Sequence, residues 1–256
     1  MIEEQIFYSL IAAIFVGGST GYLGSLMVTR RMALVGDALG HVALPGIAMA
    51  LLYNFNVILG ALASLFFGIL LIWFLHFKTE LHTEVLTGII FAVSLAFAFL
   101  ILPSEDLETA LIGDIAKINT LEFIITVFLS SIIFLIVRYI YSKIVLMTLS
   151  EDLAKSKKIN VNLNNLIYLL SVGIIIALGI KIVGSLLIGG LVIIPAAASR
   201  NLSKNLSQYV FGAVFIGIFS ALSGVLLYRA TGFSAGPIII LIAAMVFLIS
   251  FLFKQK

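Results

Sequence analysis

A series of long apolar runs constrains the fold of this chain more than any other feature of its sequence. Each run approaches the ~20 residues that an α-helix needs to cross a bilayer, and far exceeds the ~10 residues of a membrane β-strand. The runs therefore predict an all-α, polytopic membrane bundle of about nine transmembrane helices. They cover residues 6–29, 34–53, 57–77, 85–102, 123–141, 163–180, 184–199, 209–228 and 237–253. The run 184–199 is short, so a count of eight, with this segment re-entrant, stays open.

The positions of the basic residues orient these helices. Of the 15 Lys and Arg residues, 12 fall in one alternating set of connections and three, Lys117, Lys181 and Arg229, fall in the other. Basic residues concentrate on the cytoplasmic side of membrane proteins, which predicts an outside N-terminus and a cytoplasmic C-terminus. An odd number of spans fits this orientation. We expect a multi-pass protein of the cytoplasmic membrane in which residues 1–256 form one domain, because no repeat or linker divides the chain.

The composition excludes several classes of function. Charged residues make up 11% of the chain and the net charge is +3, with the basic residues in loops, so nothing indicates nucleic-acid binding. The absence of cysteine excludes disulfides, thiolate metal sites and cysteine catalysis. The sequence has no Gly-Lys pair and so no Walker A phosphate cradle, which means that the chain cannot hydrolyse ATP itself. We expect no permanently bound cofactor.

Polar residues interrupt the second apolar run in the stretch 34–48, which reads LVGDALGHVALPGIA. Asp37 and His41 are four residues apart, so on a helix both side chains lie on one face. A carboxylate at membrane depth costs about 2.5–3.5 kcal/mol on insertion scales and should face protein or a water-filled path. Carboxylate and imidazole together suit a divalent transition metal, so this pair is a candidate metal site. Hydrogen bonding to neighbouring helices, without a metal, stays open as the alternative.

Glycines and prolines around this pair are candidates for shaping a path. Gly36 and Gly40 would let another helix approach closely. Pro45 and Gly46 should break or kink the helix, and freed carbonyls are tolerated at membrane depth only where they line a cavity. Pro195 lies in a second segment of small residues and predicts a second kinked helix.

Two connections carry further candidates. The outer loop 103–119 is acidic, which would concentrate cations at an entrance, and an ordinary solvated loop is the alternative. The largest inner connection, 142–162, contains Ser150 followed by Glu151 and Asp152, a pattern typical of a helix N-terminus. It predicts a short charged helix in the cytosol, either a solvated connector or a docking element for another protein.

The sequence GDALGHVALPGIA at 36–48 resembles the signature of the metal-type ABC transporter permeases, the membrane subunits of zinc, manganese and iron uptake systems. Four further stretches are similar in the same order, at 84–91, 111–115, 151–161 and 185–198, and Gly236-Pro237 also fits. The resemblance covers nearly the whole chain. It implies the permease subunit of an ABC importer for a divalent metal ion, zinc or manganese or iron, which forms a homodimer around a central path.

The resemblance also implies partners and residue roles. A cytoplasmic ATP-binding subunit would drive transport, and an extracytoplasmic metal-binding protein would deliver the ion. Asp37 and His41 would meet the metal in the path. The segment that docks on the ATPase would contain Glu151, Asp152, Leu153, Ala154, Lys155 and Lys158. The family commonly has serine in place of Gly40 and glycine in place of Lys158, so the chain departs from the pattern at both positions.

Two other functions remain open at this point. A permease of the same build for a chelated metal, of siderophore or cobalamin type, would need a wider cavity and typically a longer chain. An intramembrane aspartyl protease would need two acids inside the membrane, and of Asp37 and Asp114, the acids of the two Gly-Asp pairs, only Asp37 lies deep in a predicted span. The chain is therefore predicted to be a transporter subunit and not an enzyme.

Overall fold

The computed structural model describes residues 2–79, 81–102, 111–113 and 118–253, and the regular secondary structure in these ranges is entirely α-helical. Most of the acidic outer loop lies outside the described residues. The helices are α1 (Ile2–Thr29), α2 (Ala33–Val42), α3 (Leu44–Leu52), α4 (Val57–Lys78), α5 (Thr83–Ile101), α6 (Thr120–Leu149), α7 (Glu151–Ser156), α8 (Val161–Val183), α9 (Ile188–Leu202), α10 (Leu206–Thr231) and α11 (Ala235–Leu252). The predicted all-α class is confirmed.

Eight stretches within the described ranges are long and apolar enough to cross a membrane, with α2 and α3 together counting as one of them. They coincide with eight of the nine predicted runs. The remaining run corresponds to α9, whose 15 residues extend about 22 Å, less than the ~30 Å of a hydrocarbon layer. The membrane bundle is therefore confirmed, with eight candidate spans in the described ranges. Whether the number of membrane crossings is eight or nine depends on α9.

Polar side chains fix where several helices begin. The carboxamide oxygens of Asn56, Asn119, Asn160 and Asn205 each accept a backbone N–H from the first turn of the helix that follows. At Asn119 the cap is reciprocal, because the Glu122 carboxylate accepts the Asn119 backbone N–H. Such caps satisfy N–H groups that have no partner inside the helix. They explain why each of these helices begins close to the first residue of its apolar run.

Helix α1 lies at the centre of the packing, and its glycines permit this. A Cβ on Gly17 or Gly21 would overlap the backbone of α10, and one on Gly24 would overlap the carbonyl oxygen of Val192 in α9. Without side chains at these positions the helix backbones approach closely, which is how helices associate where lipid gives no hydrophobic driving force.

The two ends of the chain lie at opposite ends of the bundle. Near the N-terminus the ring of Tyr8 stacks on Phe123 in the first turn of α6, with centroids 4.6 Å apart. Near the C-terminus Ser250 accepts a hydrogen bond from Asn201 at 3.0 Å, and Asn201 belongs to the last turn of α9. Large apolar side chains are exposed along α4, α5, α6 and α11, as a surrounding bilayer requires.

Candidate functional site

The candidate metal ligands lie on α2, where this helix crosses the start of α9. Asp37 packs against Gly189 so closely that a Cβ on that glycine would lie 2.6 Å from the Asp37 Cα. One turn further along, a Cβ on Gly40 would lie 2.7 Å from the carbonyl oxygen of Ser185. Gly36 is buried against Met27 of α1. The predicted role of Gly36 and Gly40 in close helix approach thus has a geometric basis, with α1 and α9 as the neighbours.

The packing of α9 gives the depth of Asp37. Ser199 lies at the end of the bundle where Thr29, Arg200 and Lys204 line one cavity. Gly189 precedes Ser199 by ten residues, which is about 15 Å along the helix axis. Gly189 and the carboxylate beside it therefore lie inside the bundle, and Asp37 belongs to the candidate membrane span Ala33–Leu52.

The Asp37 side chain points out of the single chain. It is exposed, and so is Leu34, three residues earlier on the same face of α2, at 68%. An exposed carboxylate within an apolar membrane span would be costly against lipid. The face that carries Asp37 therefore requires either a water-filled path or another protein surface.

The His41 side chain is half-buried beside α5. Its ring lies edge-on to Phe91, with centroids 5.1 Å apart. Its Nδ1 atom is buried and has no hydrogen-bond partner among the described residues. A buried polar atom without a partner costs about 1–3 kcal/mol, so the geometry suits an imidazole that gains a partner when an ion or another surface arrives.

Two ligands from one chain do not complete a metal site. Within the described ranges there is no group of three or more His, Cys, Asp or Glu side chains that could hold an ion. Zinc and similar ions take four or more ligands in stable protein sites. One copy of Asp37 and His41 provides half of such a set.

The break between α2 and α3 falls at Ala43, two residues before Pro45, which lies in the first turn of α3. The carbonyl of Val42 accepts a hydrogen bond from Ser64 Oγ of α4 at 2.7 Å. Gly46 is buried against the Gly60 backbone. The helix is interrupted as predicted, and α4 packs against the interruption.

Pro195 is buried inside α9, six residues after Gly189, or about 9 Å along the helix. The structure therefore brings Gly36, Asp37 and Gly40 together with the start of α9, whereas Pro195 lies nearer the Arg200 end. Gly189 and Phe91 lie in stretches that carry the family resemblance, but no sequence pattern distinguishes them from their neighbours. The only local signal is the Gly189-Gly190 pair near the start of α9.

The predicted docking segment is α7. The Ser150 hydroxyl accepts the backbone N–H of Leu153 at 3.2 Å, and Lys155 pairs with Glu151 at 3.8 Å on the exposed surface. Ala154 is buried against Met147 and Val161. The exposed side carries Glu151, Asp152, Leu153 and Lys155.

Lys158 makes the bend that ends this segment. Its φ is 58°, in the left-handed region, and its N–H donates to the Lys155 carbonyl at 2.9 Å. The bend therefore forms although lysine replaces the family's glycine.

The turn between α1 and α2 is tied to α8 through Arg30. The guanidinium donates to Asn165 Oδ1 at 2.7 Å and lies over the Tyr168 ring, 5.3 Å from its centroid. Burial lowers the pKa of Arg30, while the Tyr168 hydroxyl and Glu151 oppose this effect. The sequence alone identifies Arg30 only as one of the basic residues in a connection between apolar runs.

A buried ion pair at the other end of the bundle was also missed. Glu122 of α6 is 3% exposed, lies 3.4 Å from Lys181 Nζ of α8, and accepts a hydrogen bond from Asn56 Nδ2 at 3.1 Å. This cluster joins α4, α6 and α8. Its signal in the sequence is an acid and a base at the ends of two apolar runs.

Residues 3–254, almost the entire chain, match the ABC 3 transport family. The chain belongs to this family. It is 32% identical over 259 residues to the high-affinity zinc uptake system membrane protein ZnuB of Buchnera aphidicola subsp. Baizongia pistaciae, covering 98% of both chains. It is 26% identical over 252 residues to the manganese transport system membrane protein MntC of Listeria monocytogenes, covering 97% of this chain and 90% of that protein.

A solved structure of PsaBC from Streptococcus pneumoniae in complex with Fab contains a chain with the same fold. The TM-score is 0.83 at 26% identity, over 98% of this chain and 95% of that one. Membership of the ABC 3 transport family confirms the resemblance seen in the sequence. It also confirms that this multi-pass membrane protein is a transporter component and not an enzyme.

Proposed function

We propose that the chain is the permease subunit of an ATP-binding-cassette importer that moves a bare divalent metal ion, zinc or manganese, across the cytoplasmic membrane. The observation that carries the proposal is the exposed Asp37 carboxylate within a candidate membrane span, one turn from His41. Relatives named for zinc uptake and manganese transport support a bare ion over a chelated one. Iron would suit the same ligands.

Each copy of the chain forms one permease domain. The metal ligands come from two such copies. Two Asp37 carboxylates and two His41 imidazoles supply the four ligands that one copy lacks. Binding must be weak enough for release, as in any conducting path. Gly36 and Gly40 keep α2 close to its neighbours, while Pro45, Gly46 and Pro195 shape the helices along the path.

The chain crosses the membrane nine times, with its N-terminus outside. The opposite positions of the two chain ends support an odd number of crossings. The α9 segment runs from the Gly184 end of the bundle, where Leu186 N–H donates to the Leu111 carbonyl, to the Arg200 end. The basic residues at the Arg200 end make that end cytoplasmic.

The energy for transport comes from a cytoplasmic ATPase that docks on α7. The exposed Leu153 and its charged neighbours give this helix a surface for a partner, and burial of Ala154 fixes it to α6 and α8. An extracytoplasmic metal-binding protein delivers the ion at the opposite end. Substitution of Leu153 by Glu should abolish co-purification of the ATPase subunit, whereas the permease itself should still accumulate in the membrane.

Metal uptake in cells that depend on this permease tests the metal site. Asp37→Asn and His41→Ala should each lower zinc or manganese accumulation at least about tenfold, since each dimer loses two ligands. The matched controls are Glu84→Gln and His82→Ala, at exposed positions at the start of α5, and both should transport normally. Immunoblots of membranes establish equal insertion.

Uptake by Asp37→Asn equal to that of the unmodified protein would end the proposal. Metal-stimulated ATP hydrolysis by the assembled complex, measured with zinc, manganese and iron in turn, identifies the cargo. Stimulation should be absent in both variants of the α2 pair.

A further inference from the structure

A cavity of about 250 Å³ opens on the side of the bundle between α1, α6 and α10. We call it the inner groove. Tyr22 of α1 forms its floor, with the ring centroid 5.0 Å from that of Phe134 and 6.0 Å from that of Tyr141, both on α6. Arg138 of α6 and Phe211 of α10 are further lining residues. The groove therefore combines one guanidinium and two phenol groups with apolar walls.

The groove lies at the cytoplasmic boundary of the bilayer. Arg138 is 18 residues from the start of α6, which is about 27 Å of the ~30 Å hydrocarbon layer. Tyr139 is exposed beside it, and Lys143 Nζ lies 4.9 Å from the centre of the Tyr139 ring. Tyrosine and lysine collect at the level of the headgroups. Phe134, one turn before Arg138, lies deeper, at the level of acyl chains.

The charged side chains in and around the groove are all basic. Arg138 is exposed and has no carboxylate partner in the described part of the chain, and no acid lines the groove there. A second cavity of about 330 Å³ shares Leu206 with the groove and is lined by Arg200 and Lys204. The amino-terminal end of α10 adds the positive end of a helix dipole. Basic pockets between helices on the cytoplasmic side suit anionic lipid headgroups.

The groove is separate from the metal site. On α1, Tyr22 and Gly24 are two residues apart and so point to nearly opposite sides of the helix. Gly24 contacts α9, the helix whose Gly189 packs against Asp37. Tyr22 instead faces α6 and the groove. A ligand in the groove therefore contacts the far side of α1 from the proposed metal path.

We propose that the inner groove binds an acidic glycerophospholipid of the inner leaflet. Its phosphate pairs with Arg138 and accepts hydrogen bonds from the tyrosine hydroxyls, and its acyl chains lie against Phe134 and Phe211. A lipid fits better than a soluble anion because the walls below Arg138 are apolar and open to the side of the bundle, where only acyl chains reach.

Mass spectrometry of the purified full chain, with phosphatidylglycerol and phosphatidylcholine offered in mixed micelles, tests the proposal. The protein should retain phosphatidylglycerol preferentially, and Arg138→Gln should weaken its binding about tenfold, the factor expected for one charge-assisted contact. The control Arg229→Gln removes an exposed arginine at the other end of α10 and should change nothing. Arg138→Lys keeps the positive charge and should retain most of the phosphatidylglycerol binding. If Arg138→Gln fails to fold, loss of the preference for phosphatidylglycerol in Arg138→Lys would contradict the proposal.

Thermal unfolding distinguishes a lipid from a free anion. Phosphatidylglycerol should raise the Tm of the unmodified protein, and glycerol phosphate at equal concentration should not. Equal retention of both lipids, equal losses in the Arg138 and Arg229 variants, or stabilisation by glycerol phosphate alone would each overturn the proposal.

Discussion

The position of Asp37 depends on a residue without a side chain. Gly189 leaves no room for a Cβ beside the Asp37 backbone and carboxylate. We predict that Gly189→Ala displaces Asp37 and lowers metal uptake by at least about tenfold, while overpacking costs about 1–3 kcal/mol of stability. The measurements are metal accumulation at matched expression and the Tm of the purified protein.

The adjacent glycine provides the control. A Cβ on Gly190 would meet only the ends of the flexible Ile240 and Ile194 side chains, at 3.2 Å or more. Both substitutions raise helix propensity equally. Gly190→Ala should therefore leave uptake intact, and equal losses in the two variants would show that α9 tolerates no added methyl group, which would remove the argument for Asp37.

The ion pair between Glu122 and Lys181 should stabilise the end of the bundle opposite Arg200. Removing the amine with Lys181→Ala leaves a buried carboxylate without its charge partner, which is expected to cost about 3–5 kcal/mol. The double variant Glu122→Gln, Lys181→Met removes both charges and should recover most of the lost Tm. Equal Tm values for the single variant and the unmodified protein would show that solvent reaches Glu122.

At this scale the sequence shows which residues are unusual but not what they touch. Asp37 and His41 were found because a charge and an imidazole are rare in an apolar run. Phe91 and Gly189 could not be assigned, because their roles arise from contacts between helices far apart in sequence. Asn56, Glu122 and Lys181 belong to three different helices, so no local pattern joins them.

Among the elements, α7 is followed by a bend at Lys158, where the backbone conformation suits glycine. Lys158 has φ 58° and closes the bend, whereas its neighbour Lys157 has φ −83°. We predict that Lys158→Gly raises the free energy of unfolding by about 1 kcal/mol, because glycine adopts the left-handed conformation without steric cost.

Lys157→Gly is the matched control, since it removes the same charge at a position with ordinary backbone geometry. It should lower the stability slightly through the added freedom of the unfolded chain. The measurement is the Tm of both variants and of the unmodified protein in detergent. A lower Tm for Lys158→Gly than for Lys157→Gly would mean that the lysine side chain itself holds the bend.

The sequence predicts most helices well because lipid requires long apolar segments. The start of α7 followed from Ser150 and the acids after it. The break at Ala43 was expected from Pro45, but its surroundings were not, because Ser64 reaches the Val42 carbonyl from another helix. The length of α9 stayed ambiguous in the sequence, since a helix that lies within a protein bundle needs less apolar length than one facing lipid.

For the whole molecule, the pattern of exposed residues supports the α2 face as the interface of the proposed dimer. The face of α2 with Leu34 and Asp37 combines an apolar side chain with a carboxylate inside a candidate membrane span. Of these two side chains, only that of Leu34 suits contact with lipid. Phe215 of α10 lies on a purely apolar exposed face. No pattern within one chain could have distinguished these faces, because the depth of Asp37 depends on how α2 and α9 cross.

Cross-linking between copies tests this assignment. The chain has no cysteine, so a single introduced cysteine is the only thiol that can react. Leu34→Cys should give a covalent dimer with a short bifunctional thiol reagent in native membranes, because the two copies of α2 face each other across the path. Phe215→Cys, which is equally exposed at 68%, faces lipid and should remain monomeric on a denaturing gel. Dimers from Phe215→Cys together with monomers from Leu34→Cys would place the interface on α10, and the four-ligand site shared by two chains could not form.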